Sequence, residues 1–230
     1  MKASSAPPLA LAAGIFAVIT SSAREWTETL TCTDESLTST GRNDFFILEP
    51  GYQLVLEGKA GGKKTTLTIT VLDETKTIGG VETRVVEERE VAADKLIEVS
   101  RNYFAVGTKT KNVYYYGEDM DIYKGDKVVH EGMLQEGLGD AKHGIAMPGT
   151  IKIGDRYYQE RAPKVTMDRA ENITTGEAVK TPAGNFEHCA KTRETTPLES
   201  GTEFKFYAPG IGPVRDGDLL LLVKHGFAKK

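Results

Sequence analysis

Thr66-Leu67-Thr68-Ile69-Thr70-Val71 alternates polar and apolar side chains without a break. In an extended chain successive side chains point to opposite faces, so Leu67, Ile69 and Val71 share one face of a strand. Outward from this segment, residues 53–57, 81–86, 96–106, 113–116, 156–159, 203–207 and 219–223 are β-rich in the same way. Turn formers punctuate them: Gly61-Gly62, Gly79-Gly80, Lys124-Gly125-Asp126, Pro182-Ala183-Gly184 and Asp216-Gly217-Asp218. Many short strands separated by such turns predict an antiparallel sheet, sandwich or open barrel.

An internal repeat sharpens this expectation. At a shift of 104 positions eight of the 39 pairs that start at Ile69 are identical, among them Gly80 with Gly184, Arg89-Glu90 with Arg193-Glu194, and Tyr103 with Tyr207. The repeat settles residues 85–99, whose Glu87, Glu88, Glu90 and Lys95 also suit a helix. The corresponding stretch in the second copy contains Pro197 and Ser200-Gly201, which forbid a continuous helix. Both copies therefore read as β-hairpins. The predicted fold class is mainly β: an antiparallel curved sheet or open barrel built from two duplicated halves. It forms a single domain over 45–230, with half-repeats at about 45–130 and 150–230. The glycine-rich stretch 131–149 reads as a crossover with few strand signals.

The N-terminus reads as an export signal. Lys2 precedes an apolar run from Leu9 to Ile19, and Ser21 and Ala23 supply the small residues of a cleavage site. The predicted signal peptide is 1–23 and the polar segment 24–44 a flexible leader. The apolar run is shorter than the about 20 residues a spanning helix needs, so no integral membrane segment is expected after processing. The expected location is periplasmic or extracellular.

Composition narrows the functional classes. The 230 residues are 39% hydrophobic and 27% charged, which excludes a disordered chain. The net charge of −4 and the lack of an extended basic patch argue against nucleic acid as a partner. Cys32 and Cys189 allow one internal bridge, but Cys189 sits in an apolar strand pattern where a free thiol behaves as a small buried hydrophobe. His188 cannot readily activate it, because adjacent strand residues face opposite ways. No serine lies in a nucleophile elbow, and the position four residues after His130 is Leu134, so no zinc-protease helix begins there.

The phrases Leu48-Glu49-Pro50-Gly51-Tyr52, Thr181-Pro182-Ala183-Gly184-Asn185-Phe186 and Tyr207-Ala208-Pro209-Gly210-Ile211-Gly212 resemble those of uncharacterised exported bacterial β-proteins. These are distantly similar to the lipoprotein-localisation carriers, open half-barrels over a helix or loop plug. The resemblance covers most of residues 45–216 and implies a fold class and an envelope location, with no known activity.

Two sets of residues are candidates for function. A concave β face lined by Tyr103, Tyr114, Tyr116, Tyr158 and Tyr207 would hold an apolar or amphipathic small molecule; the same tyrosines equally suit packing within a sheet. Alternatively, Asp119, Asp121, His130, Glu131, His143 and Met147 offer oxygen ligands for a hard divalent cation, or imidazole and thioether for copper. No other cofactor is expected. The favoured expectation is a non-enzymatic envelope protein that binds a small molecule.

Overall fold

The computed structural model describes residues 26–60, 62–125, 127–217 and 220–228, without the side chains of Ala60 and of residues 131–134. The predicted signal peptide lies outside the described residues. Among those residues the chain is all-β, and no helix is long and apolar enough to cross a membrane.

A short strand β1 (Leu37–Thr38) and a hairpin of β2 (Gly41–Asn43) and β3 (Phe46–Leu48) come first. A meander follows: β4 (Tyr52–Ala60), β5 (Lys63–Ile78), β6 (Val81–Ala92), β7 (Lys95–Gly107) and β8 (Val113–Lys124), with β9 (Lys127–Gln135) folded back on β8. Then come β10 (Lys142–Met147), β11 (Arg156–Tyr158) and β12 (Glu160–Arg161). A second meander runs through β13 (Arg169–Thr181), β14 (Gly184–Thr195), β15 (Glu203–Ala208), β16 (Gly212–Asp216) and β17 (Leu220–Phe227).

β17 pairs with β4 and joins the two meanders into one antiparallel sheet that curls almost into a closed barrel. The free ends of that sheet are β11 and β12, which do not pair with each other. They are neighbours in sequence, separated by Gln159 alone. One residue of chain thus crosses the single seam.

The hairpin predicted over 85–99 is present. It turns at Ala93 and Asp94, whose φ values of 50° and 61° are those of the tight turns that match strand twist. The predicted crossover differs from expectation, because β10 lies inside it and pairs with both β8 and β12. Its glycines hid the strand: Gly137 and Gly139 take positive φ in the turn before it, and Gly144 is pressed against the seam.

The two halves share the order of a long hairpin followed by a third antiparallel strand. Their registers differ by one residue. Tyr103 stands opposite Val85, but Tyr207 stands opposite Ala190, one beyond the residue that matches Val85 at a shift of 104. A slip of one flips every side chain, and the two tyrosines accordingly pack in different clusters.

The larger cluster fills the barrel with Leu48, Leu54, Leu56, Val86, Phe104, Tyr115, Met147 and Leu222 among others. The β2–β3 hairpin plugs one end. Asn43 Nδ2 donates to the carbonyls of Lys111 and Pro148 at 3.1 and 3.2 Å, and Gly210 N–H donates to Asp44 O at 2.7 Å. A second cluster, including Tyr103, Tyr114, Tyr116 and Ile145, is covered by Leu30, Cys32 and Leu37 of the N-terminal segment.

Residues 26–38, expected as part of a flexible leader, form a strap bound to strands on both sides of the seam. Thr29 and Leu30 N–H groups share the Arg156 carbonyl of β11 at 2.9 Å, and the Cys32 thiol donates to His143 O of β10 at 3.8 Å. Leu37–Thr38 then pairs with β7. Cys32 and Cys189 are both free thiols, one in the strap and one in the interior.

Candidate functional site

On four strands inward-facing positions change character in a common direction, while Leu67, Ile69 and Val71 keep β5 apolar throughout. On β6 Val86 is followed on the same face by Glu88 and Glu90. On β7, read backwards, Phe104 is followed by Asn102, Ser100 and Glu98. Ala190 gives way to Thr192 and Glu194 on β14, and Tyr207 to Lys205 and Glu203 on β15. The antiparallel register sets Glu88 opposite Ser100, Glu90 opposite Glu98, Thr192 opposite Lys205 and Glu194 opposite Glu203. On these strands the interior is therefore apolar toward the plug and charged toward the opposite end, where β5 still contributes Leu67 and β17 Leu220.

A cavity of about 330 Å³ spans this change. Phe46, Ile47 and Phe104 wall its plugged side, with the rings of Phe46 and Phe104 5.1 Å apart and those of Phe104 and Tyr115 5.2 Å apart, and Leu54 and Ile69 add apolar wall level with Glu88. Its other side carries Glu88, Glu118, Glu160, Asp168, Glu194 and Asp216. A second cavity of about 300 Å³ shares Glu88, Lys205 and Asp216 with the first and adds Glu90, Glu98 and Glu203, so the acidic lining continues toward that end.

Lys205 is the cation of the cavity lining. It pairs with Glu194 at 3.2 Å and reaches Asp216 at 3.9 Å, and the Glu194 carboxylate holds its pKa well above the ordinary lysine value. The remaining acids resist ionisation. Burial pushes Glu88 up to about 7, against the attraction of Lys205 and helped by Asp216 and Glu118. Burial also pushes Glu160 up to about 7, with the Thr166 hydroxyl opposing and Asp168 and Glu118 adding to the shift. Glu118 and Asp168 are raised, again chiefly by burial. Glu160 is 7% exposed. Its Oε1 accepts the Thr166 hydroxyl, while Oε2 is buried with no hydrogen-bond partner among the described residues.

The structure separates the tyrosines expected to form one face. Tyr207 lines the cavity. Tyr103 lies in the outer cluster, bonded to Asp119 and to Lys76 Nζ. Tyr114 and Tyr116 lie under the strap, the first donating to Glu35 at 2.9 Å and the second stacked on His143 at 4.7 Å. Tyr158 meets the edge of Trp26 and the Arg161 guanidinium. The tyrosines that do line the cavity beside Tyr207 are Tyr52 and Tyr115. In Tyr114-Tyr115-Tyr116 the two-residue period fixes that the middle ring opposes its neighbours. Both faces are buried there, so the sequence pattern does not say which is inside.

Of the described metal-ligand candidates only Asp121 and His130 meet. Asp119 binds Lys76 at 2.8 Å and Gln135 at 3.2 Å. Asp121 pairs with His130 at 2.9 Å, and His143 with Glu136 at 3.2 Å. Met147 is wholly buried in the interior cluster, and the side chain of Glu131 lies outside the described residues. Among the described residues no group of three or more histidine, cysteine, aspartate or glutamate side chains is arranged to hold a metal ion. Burial pushes the Cys32 thiol up to about 11, against the pull of Arg161, so it is no nucleophile near neutral pH.

Acidic residues of the lumen carried a sequence signal of their own: carboxylates in phase with apolar residues on one strand face, as in Val86, Glu88 and Glu90. No protein-family model, curated protein or solved structure matches the chain.

Proposed function

We propose that this chain is a non-enzymatic binding protein of the cell envelope or its exterior, which holds an amphipathic small molecule inside the barrel. The observation that carries the reading is the graded lumen: a cavity of about 330 Å³, apolar beside the plug and polar at the other side. That volume falls at the small end of ligand sites, which run from roughly 300 to 1,000 Å³. A purely structural barrel would fill such a space with its own side chains, as small barrels commonly do. The export signal read from residues 1–23 supports the envelope location.

Titration of the purified full chain with the neutral fluorophore N-phenyl-1-naphthylamine tests the proposal. Saturable enhancement is expected, and Ile69→Trp, which fills the apolar side, should abolish it while the circular dichroism spectrum stays that of a β protein. A folded wild-type chain that gives no enhancement, and yields no bound molecule by native mass spectrometry, overturns it.

A further inference from the structure

We infer that the molecule held in the lumen is an organic cation, its ammonium or guanidinium head set among Glu88, Glu118 and Glu160 and its apolar body directed at Phe46 and Phe104. This rests on the lumen being a ligand site. Three features of the wall select the charge. First, six carboxylates line the cavity with Lys205, and Lys205 is engaged by Glu194 and Asp216. Among the described residues no ion pair joins a lysine or arginine to Glu88, Glu118, Glu160 or Asp168.

Second, Glu160 Oε2 is a buried acceptor without a donor among the described residues, on a side chain 7% exposed that faces the cavity. A buried carboxylate oxygen left unpaired is costly, and a ligand N–H would satisfy it. A neutral apolar guest would leave that cost standing, and an anion would add repulsion from the neighbouring acids.

Third, the carboxylates are distributed around the wall, on β6, β8, β12, β14 and β16 and in the segment before β13. They form no cluster fit for a metal ion among the described residues. A head with several N–H donors, on a body that can lie against an aromatic floor, fits this distribution better than a point charge with a compact coordination shell. The raised pKa values of Glu88 and Glu160 agree: burial outweighs the pull of Lys205 at Glu88, and at Glu160 no cation opposes it.

Calorimetric titration of the full chain at pH 8 with octylamine, 1-octanol and octanoate, all below micellar concentration, isolates the head group on a constant tail. The amine should bind at least tenfold tighter than the alcohol, with octanoate the weakest. Glu160→Gln and, separately, Glu118→Gln should each shrink the amine-over-alcohol ratio to threefold or less while leaving octanol affinity within twofold. Octanol binding without amine preference overturns the cation inference and leaves the lumen reading standing. A preference that survives in both variants overturns the assignment to these acids. Failure of all three probes to bind a folded chain overturns the lumen reading, and this inference with it.

Discussion

Gly144 of β10 lies against the backbone of Gln159, the residue that crosses the seam: a Cβ built on Gly144 would stand 2.4 Å from the Gln159 carbonyl oxygen and equally close to that of Tyr158. No side chain other than hydrogen fits, because the obstructing atoms are main chain held by the pairing of β10 with β12 and of β11 with β13.

Gly144→Ala should therefore force the seam apart. Overpacking of this kind costs about 1–3 kcal/mol, which for a chain of this size is a fall of roughly 2–12 °C in melting temperature. Gly176→Ala is the matched comparison, since its added Cβ meets nothing nearer than Thr174 Oγ1 at 3.8 Å. Thermal melts of the two variants should differ by at least several degrees; equal melts would mean the seam yields freely.

Trp26, the single tryptophan of the chain, sits with its ring near the guanidinium groups of Arg169 at 4.5 Å and Arg156 at 5.4 Å, and so reports on the strap by fluorescence. Glu35 anchors the same strap: it accepts the backbone N–H groups of Lys109 and Thr110 at 2.9 and 3.0 Å and the hydroxyls of Thr110 and Tyr114. Burial works to raise its pKa, but these donors outweigh burial and hold it at about 2, below the ordinary 4.5. A carboxylate with a lowered folded-state pKa stabilises above its ordinary value and loses that contribution as pH falls toward the lowered one. Trp26 emission should shift to the red between pH 4.5 and 2, and Glu35→Ala should show the shift already at pH 7. An unchanged spectrum in that variant would show that the strap does not depend on Glu35.

Glu88 and Glu160 act in the opposite sense. Their folded-state values of about 7 exceed the ordinary 4.5, so the native state retains protons that the unfolded chain releases, and stability falls as pH rises from 4.5 through 7. Burial is the main cause at both; Asp216, Glu118 and Glu98 add to it at Glu88 against the pull of Lys205, and Asp168 and Glu118 add to it at Glu160 against the Thr166 hydroxyl. Without ligand, Glu160→Gln should raise the melting temperature at pH 8 by the equivalent of on the order of 2 kcal/mol and leave it nearly unchanged at pH 4.5. A flat difference across that range would contradict the environment described for Glu160.

Local pattern made the strands legible. The alternation in 66–71 and the paired glycines at 79–80 specify β5 and the turn after it, since both depend only on side-chain period and backbone freedom. Pro197 excluded a helix from the second copy and, by the repeat, from 85–99. β10 escaped notice because Gly144 weakens its pattern for a reason that lies elsewhere in the chain, at Tyr158 and Gln159. The site was legible only in fragments. Of the tyrosines expected on one concave face, Tyr207 lines the cavity, whereas Tyr103, its partner at a shift of 104, lies outside because a register slip of one residue separates the two hairpins.

The sequence by itself determined that this chain forms antiparallel strands joined by tight turns, because a period of two and a handful of glycines and prolines act over a few residues. Only the tertiary structure decided which face is inside, where the seam falls and which carboxylates share a lumen. Those outcomes depend on register and curvature, which pair residues as distant as Glu57 and Leu221. A strand buried on both faces has no intrinsic inside until its neighbours wrap around it.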